Sequence, residues 1–213
     1  LVKPETELLH IGFGTMNGKD GKPYKTRQGG VPRLENLIGE INEEMLRKIK
    51  ENAATKGYEI DEAEAEKTAK IVGLAAIKYG DLSNQPAKDY VFDVDRFTSF
   101  EGDTGPYVLY TMVRIKSILA KYKEQGGDVC SVKLQESQNA SEKALAMELV
   151  KFNAMMTAAY EESAPNKVCA YIYDLANAFN HFYHETKILS EADEEKKAGW
   201  IALLALTLRI LEA

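Results

Sequence analysis

Thr104–Lys123 reads TGPYVLYTMVRIKSILAKYK, and it decides the architecture of the second half of the chain. Proline at a first helical position needs no amide partner and already has a helical φ, so Thr104-Gly105-Pro106 predicts a helix start. The helix is expected to run to about Gln125, where Gly126-Gly127 stops it. At about 100° per residue, Val108, Met112, Ile115, Leu119 and Tyr122 form one apolar stripe. Tyr107, Tyr110, Arg114, Ser117 and Lys121 fall within about 80° of arc on another face. Two aromatic rings, a guanidinium and an ammonium on a face that is not the core are what unpaired RNA bases require, because rings stack on bases while arginine adds bidentate and cation-π contacts. The competing reading leaves Tyr107 and Tyr110 half-buried with their hydroxyls satisfied inside the protein.

Working outward, the same periodicity recurs. Leu34, Leu37, Ile38, Ile41, Met45, Leu46 and Ile49 predict an amphipathic helix over 33–50. Asp61 with Glu64 reads as a capping box opening a helix that stops near Gly80, and an irregular or extended segment is expected over 81–103. Beyond Gly127, Ser141 is expected to cap a helix carrying Leu145, Leu149, Phe152 and Met156 on one stripe. Pro165 opens another with Val168, Ile172, Leu175, Phe179 and Phe182, and a last one runs from Asp193 through Trp200, Leu204, Leu208 and Leu211. Short connections between long amphipathic helices favour an antiparallel bundle. Ahead of all this, residues 8–16 are apolar and glycine-punctuated and read as a strand entering a polar hairpin or loop. The fold class is mainly α: a helical bundle preceded by a short strand and loop.

The bulk numbers are those of a folded domain: 213 residues, 45% hydrophobic and 28% charged, enough to bury a core. Apolar runs such as 201–206 fall far short of the roughly 20 residues that span a bilayer, and no basic-then-apolar leader opens the chain, so a cytoplasmic protein without membrane contact is expected. Cys130 and Cys169 stand apart, which suggests reduced thiols rather than a disulfide framework or zinc site. A net charge of −6 argues against a protein that coats nucleic acid nonspecifically, since phosphate binding needs lysine and arginine to displace counterions. Locally the balance reverses: 104–123 holds Arg114, Lys116, Lys121 and Lys123 and no acid, so a polyanion is expected there if anywhere in the second half.

Gly18-Lys19-Asp20-Gly21-Lys22-Pro23-Tyr24-Lys25-Thr26-Arg27 sets four cations beside glycines. A flexible basic loop of this kind can fold over a polyphosphate and stabilise pyrophosphate as it leaves. It lacks the Walker spacing, and a solvated basic hairpin is the competing reading. His181, His184 and Glu185 spell neither HExxH nor HxxEH, so no metal is assigned to them.

Taken in order, these segments resemble the arginyl-tRNA synthetases. His10-Ile11-Gly12-Phe13-Gly14, a turn, Gly21-Lys22-Pro23-Tyr24-Lys25-Thr26-Arg27 and Gly29-Gly30 resemble the strand and loop that serve as this family's version of the class I KMSKS motif. Arg33 to Ile38, Leu82-Ser83-Asn84, Tyr90 to Asp93, Asp103 to Tyr107, Arg114 to Leu119 and the segment 175–189 match its later landmarks. His10-Ile11-Gly12-Phe13 is not the HIGH signature, because it lies just ahead of the basic loop. Leu109 stands where the family usually has glutamine.

The resemblance implies a DALR-type anticodon-binding bundle over 105–213, a helical connecting segment over 33–104, and a remnant of a Rossmann-type catalytic domain over 1–32. It implies ATP-dependent ligation of arginine to its tRNA by the intact enzyme, with magnesium accompanying ATP, neither retained by this segment, and a monomer. Lys22 and Lys25 would act on the phosphates in catalysis, Thr26 and Arg27 would join them in holding ATP, and Tyr107, Tyr110, Arg114, Ser117 and Lys121 would meet the tRNA. The chain opens on Leu1, and the HIGH element and most of the catalytic fold lie outside it, so upstream sequence is expected and this segment alone should not aminoacylate. It also stops at Ala213, ahead of the family's usual last residues, which would weaken RNA binding. A stand-alone tRNA-binding module without catalysis and a helical interaction scaffold are the competing readings.

Overall fold

A computed structural model describes residues 9–23 and 33–213. The described residues form β1 (Met16–Asn17), α1 (Leu34–Lys56), α2 (Glu62–Leu82), β2 (Tyr90–Val91), α3 (Val94–Phe97), α4 (Gly105–Glu124), α5 (Ala140–Val150), α6 (Phe152–Glu161), α7 (Pro165–Glu185), a 3₁₀ turn (Ile188–Ser190) and α8 (Glu194–Glu212).

Helix starts follow local chemistry. The Thr104 hydroxyl accepts from the Tyr107 amide at 3.3 Å, with Pro106 in the first turn of α4. Asp61 accepts from the Glu64 amide at 3.0 Å, and Asp193 accepts from the Glu195 and Lys196 amides. Helix α1 runs past Lys50 to Lys56 and ends where Gly57 turns left-handed at φ 72°, a conformation that costs glycine nothing.

Four expectations need correction. The strand expected over 8–16 shrinks to two residues, because a ladder is only as long as its partner. Met16 and Asn17 pair in parallel with Tyr90 and Val91, while the Gly14 amide donates to the Pro86 carbonyl, and Thr15 donates its amide to the Asp89 carboxylate and accepts from the Tyr90 amide. Leu8 lies outside the described residues. The cap of α5 is Asn139 rather than Ser141: its side-chain oxygen accepts from the Glu142 amide at 2.8 Å and from the Ser141 hydroxyl at 2.9 Å, which places Ser141 inside the first turn. The stripe through Met156 breaks at Lys151 into α5 and α6. No glycine or proline stands there; α5 packs against both α7 and α8, while α6 packs mainly on α7, so Leu145 and Leu149 are buried and Met156 is exposed. Segment 81–103, expected to be irregular or extended, also contains α3, capped by Asp93.

Two hydrophobic cores result. Leu37, Ile41 and Met45 of α1 meet Ala69 and Ala76 of α2 and the Phe92–Phe97 pair. The larger core joins Ile115, Ile118 and Leu119 of α4 with Leu145, Leu175, Phe179, Phe182, Trp200, Ile201 and Leu204. Between them lie Tyr79, Val108 and Cys169. The Tyr79 hydroxyl, on α2, shares its proton between the Asp103 carboxylate and the Cys169 carbonyl, 2.9 Å away, so one side chain ties α2 to the entry of α4 and to α7. Burial and then Asp103 hold its pKa well above the ordinary phenol range. Gly105 lets α4 approach α2: an added Cβ would stand 2.7 Å from the Ala75 carbonyl carbon and closer still to its oxygen.

Gly105→Ala should therefore force the two cores apart and cost about 1–3 kcal/mol, the range of overpacking substitutions, read as a lower denaturant midpoint with unchanged slope. An unaltered midpoint would show that the contact is not tight. Burial pushes the Cys169 thiol up to about 11, leaving on the order of one thiol in a thousand ionised at pH 8, whereas Cys130 is exposed. Brief alkylation at pH 8 should modify Cys130 alone and reach Cys169 only in denaturant, as peptide mapping would record.

Candidate functional site

Along α4 the residues sort by face as the periodicity requires. Val108, Ile115 and Leu119 are buried, Met112 and Tyr122 half-buried, and Tyr110, Ser117 and Lys121 exposed. Tyr110, Arg114, Ser117 and Lys121 form one wall of an open groove of about 760 Å³. The opposite wall comes from Tyr183 and His184 of α7 and from Thr186, Lys187 and Ser190 around the 3₁₀ turn. Arg114, Lys121 and Lys187 form no ion pair with a carboxylate among the described residues, so the groove is cationic in a chain whose net charge is −6. Lys116, also basic in sequence, points elsewhere and pairs with Glu212 at 2.7 Å.

Arg114 is the centre of this arrangement. Its guanidinium carbon lies 4.8 Å from the Tyr110 ring centroid and 4.8 Å from that of Tyr183, a cation held between two π faces. One terminal nitrogen donates to the Tyr110 hydroxyl at 3.1 Å and the other to the Asn180 side-chain oxygen at 2.5 Å. Tyr183 in turn stacks on Phe179, with centroids 6.0 Å apart.

Tyr107 takes a different place from the other four. It is half-buried, its hydroxyl donates to Asn177 at 2.7 Å and accepts from Asn180 at 2.9 Å, and its ring tilts against Tyr173 at 5.7 Å. It shapes the α4–α7 contact beneath the groove instead of lining it. The side-chain network of Asn177 and Asn180, with Tyr183, His184 and Lys187 in the groove wall, was not singled out for a binding role by the sequence. Tyr173, Asn177, Asn180 and His184 do recur at three- and four-residue steps, a polar edge beside the Leu175–Phe179–Phe182 stripe that could have located α7's contribution. Lys187 carries no such signal, since only the turn after α7 brings it to the groove. His181 lies 3.6 Å from Glu185 on the exposed side of α7.

At the other end of the molecule, the basic loop begins with a tight reversal. The Gly18 amide donates to the Lys22 carbonyl at 3.0 Å, Gly21 adopts φ 74°, and Asn17 bridges Pro23. Lys19 is committed to Asp95 at 2.7 Å and Asp93 at 3.4 Å, contacts that raise its pKa, so of the two described loop cations, both exposed, Lys22 is the one left without a carboxylate partner. Lys25, Thr26 and Arg27 lie outside the described residues. No described helix is long and apolar enough to cross a membrane.

Comparison with known proteins bears on both ends. Residues 2–94 match the class I (R) tRNA synthetase catalytic domain, and residues 108–213 match the DALR anticodon binding domain. An arginine–tRNA ligase of Agathobacter rectalis is 66% identical over 100% of this chain and 36% of its own length, and one of Alkaliphilus oremlandii is 53% identical over 96% of this chain and 34% of its own. The Thermus thermophilus arginyl-tRNA synthetase structure superposes on 95% of this chain with a TM-score of 0.79 at 26% identity, again over 33% of that protein. This chain thus spans about a third of the length of the curated relatives it matches. With a catalytic-domain match ahead of α3, an anticodon-domain match over the bundle that carries the groove, and such identity along the whole chain, the chain belongs to the arginyl-tRNA synthetase family.

Proposed function

We propose that this chain is the part of an arginine–tRNA ligase that supplies ATP-phosphate contacts at one end and reads the tRNA anticodon at the other. The observation that carries the reading is the Arg114 guanidinium held between Tyr110 and Tyr183 at the mouth of a cationic groove. A splayed anticodon base stacks on the exposed ring of Tyr110, whose other neighbour is Arg114, the arginine N–H groups meet base acceptors, and Lys121 and Lys187 take phosphates. Ser117 adds a hydroxyl that can donate or accept. Tyr107 acts from below, holding α4 against α7.

In the complete enzyme arginine, ATP with magnesium, and arginine tRNA are the substrates, and Lys22, Lys25, Thr26 and Arg27 hold the phosphates. Lys22 and Lys25 are the pair that stabilises charge as pyrophosphate departs. The division of labour runs 1–32 for the phosphate-loop edge, 33–104 for the connecting helices, which the catalytic-domain match includes as far as residue 94, and 105–213 for anticodon binding, in a cytoplasmic monomer.

Titration of the chain with arginine tRNA and with an anticodon-altered version should show a preference for the former, weakening with salt as phosphate contacts require. Arg114→Ala should reduce that preference by about tenfold, within the ~1–3 kcal/mol that one directed base contact contributes. Equal binding of both tRNAs by the unaltered chain would leave a scaffold with a solvated basic face. In the complete ligase, Lys22→Ala should slow arginine-dependent pyrophosphate exchange by roughly 10²-fold while sparing tRNA affinity; exchange at the original rate would remove Lys22 from the mechanism.

A further inference from the structure

Asn180 is buried on α7, between Phe179 and Phe182, which have no accessible surface, and it lies beneath the groove without lining it. A guanidinium has donors and no acceptor, so the Asn180 atom facing Arg114 has to be the side-chain oxygen. The amide nitrogen then faces α4, where it donates to the Tyr107 hydroxyl at 2.9 Å and to the Thr111 hydroxyl at 3.0 Å. Both of those oxygens have their own proton committed, Tyr107 to Asn177 at 2.7 Å and Thr111 to the Tyr107 carbonyl at 3.0 Å. The amide is therefore fixed from both sides, and the orientation of Asn180 does not depend on anything bound in the groove.

We infer that Asn180 is a positioning residue for anticodon reading, one that sets the in-plane rotation of the Arg114 guanidinium while Tyr110 and Tyr183 set its tilt. The inference rests on the reading of the groove as an anticodon site. A free arginine on a helix surface attracts any phosphate or base within reach and loses rotamer freedom when it binds. Here two of its N–H directions are already assigned, to Asn180 and Tyr110, and the remaining ones point along a defined edge. Packing alone does not call for this amide, because an apolar side chain would seat α7 on α4 without the need to satisfy three polar contacts. What the amide adds is direction, passed from Thr111 and Asn177 through Asn180 to Arg114. Asn180 touches no ligand, so it acts only through the arginine.

The test uses the full chain and four variants: Asn180→Ala, Arg114→Lys, the double variant, and Thr111→Val, which removes one of the acceptors that orient Asn180 at similar volume. For each, affinity for arginine tRNA and for an anticodon-altered tRNA is measured across a salt series, alongside the thermal midpoint. Asn180→Ala is expected to lower the cognate-to-altered affinity ratio about fivefold or more. The slope of affinity against salt should stay unchanged, because the charge of Arg114 is still present. Thr111→Val should move the ratio in the same direction by less, and it carries the test if Asn180→Ala does not fold. In the Arg114→Lys background, where no fork remains to be oriented, Asn180→Ala should change the ratio less than about twofold. A ratio that falls equally in both backgrounds, or a loss of affinity for both tRNAs alike, would overturn the proposal, since Asn180 would then act on helix packing. If Arg114→Lys leaves the ratio untouched while the unaltered chain still discriminates, Arg114 is not the reader, and both the groove reading and the inference fall. If Arg114→Lys lowers the ratio and neither Asn180→Ala nor Thr111→Val does, the groove reading stands and only the positioning role fails.

Discussion

Everything at the groove depends on the rotation of α7 about its own axis. Phe179 and Phe182 are fully buried, Phe182 meets Trp200 edge-on with ring centroids 5.8 Å apart, and Leu175 lies in the same core. With those side chains seated, the neighbouring positions have no freedom left: Asn177 and Asn180 face α4, while Tyr183 and His184 reach the solvent edge. A close-packed core admits few alternative settings of a helix carrying two phenylalanines, because any rotation opens a cavity and overpacks the opposite side. The Arg114 cage is thus a consequence of core packing on one side of α7 and of hydrogen bonding on the other.

The junction between the two cores follows a different logic. Its apolar content is small, with Val108, Cys169 and the Tyr79 ring at its centre. Close backbone approach at Gly105 and the Tyr79 hydroxyl supply what apolar area does not. Because Asp103 and Cys169 belong to the entry of α4 and to α7, the same contact that joins the cores also fixes where the anticodon-domain helices begin relative to α2. The described start of the basic loop is anchored by its own set of contacts, the Lys19 pairs with Asp93 and Asp95 and the short parallel pairing of β1 with β2.

Charge is organised locally rather than globally. A net charge of −6 suits a surface that does not adsorb every polyanion, and the acids cluster at 59–66 and at 191–195, where Glu191, next to the groove's Ser190, is paired with Lys196 at 3.2 Å. Within the groove Arg114, Lys121 and Lys187 keep their charge free of carboxylates among the described residues, and Lys116, one residue before Ser117 and about 100° round the helix, is paired with Glu212.

The sequence by itself determined the long helices α1, α2, α4, α7 and α8, the cap at Asp61, the helix starts at Thr104 and Asp193, the buried stripe of α4 and the face that carries Tyr110, Arg114, Ser117 and Lys121. These follow from local chemistry and from a period of about 3.6 residues, which a single chain displays without reference to its neighbours. It also carried the ordered motifs by which the family is recognised. Tertiary structure alone decided what depends on a second element. The strand over 8–16 is two residues long because its partner offers no more, the stripe of α5 and α6 breaks because two different neighbours receive its halves, and Tyr107 sinks beneath the groove because Asn177 and Asn180 claim its hydroxyl. Tyr183 and Lys187 become groove walls only when α7 and the turn after it close on α4. Helical phase says which residues share a face; the packing of a second helix says whether that face meets solvent, a ligand or the protein itself.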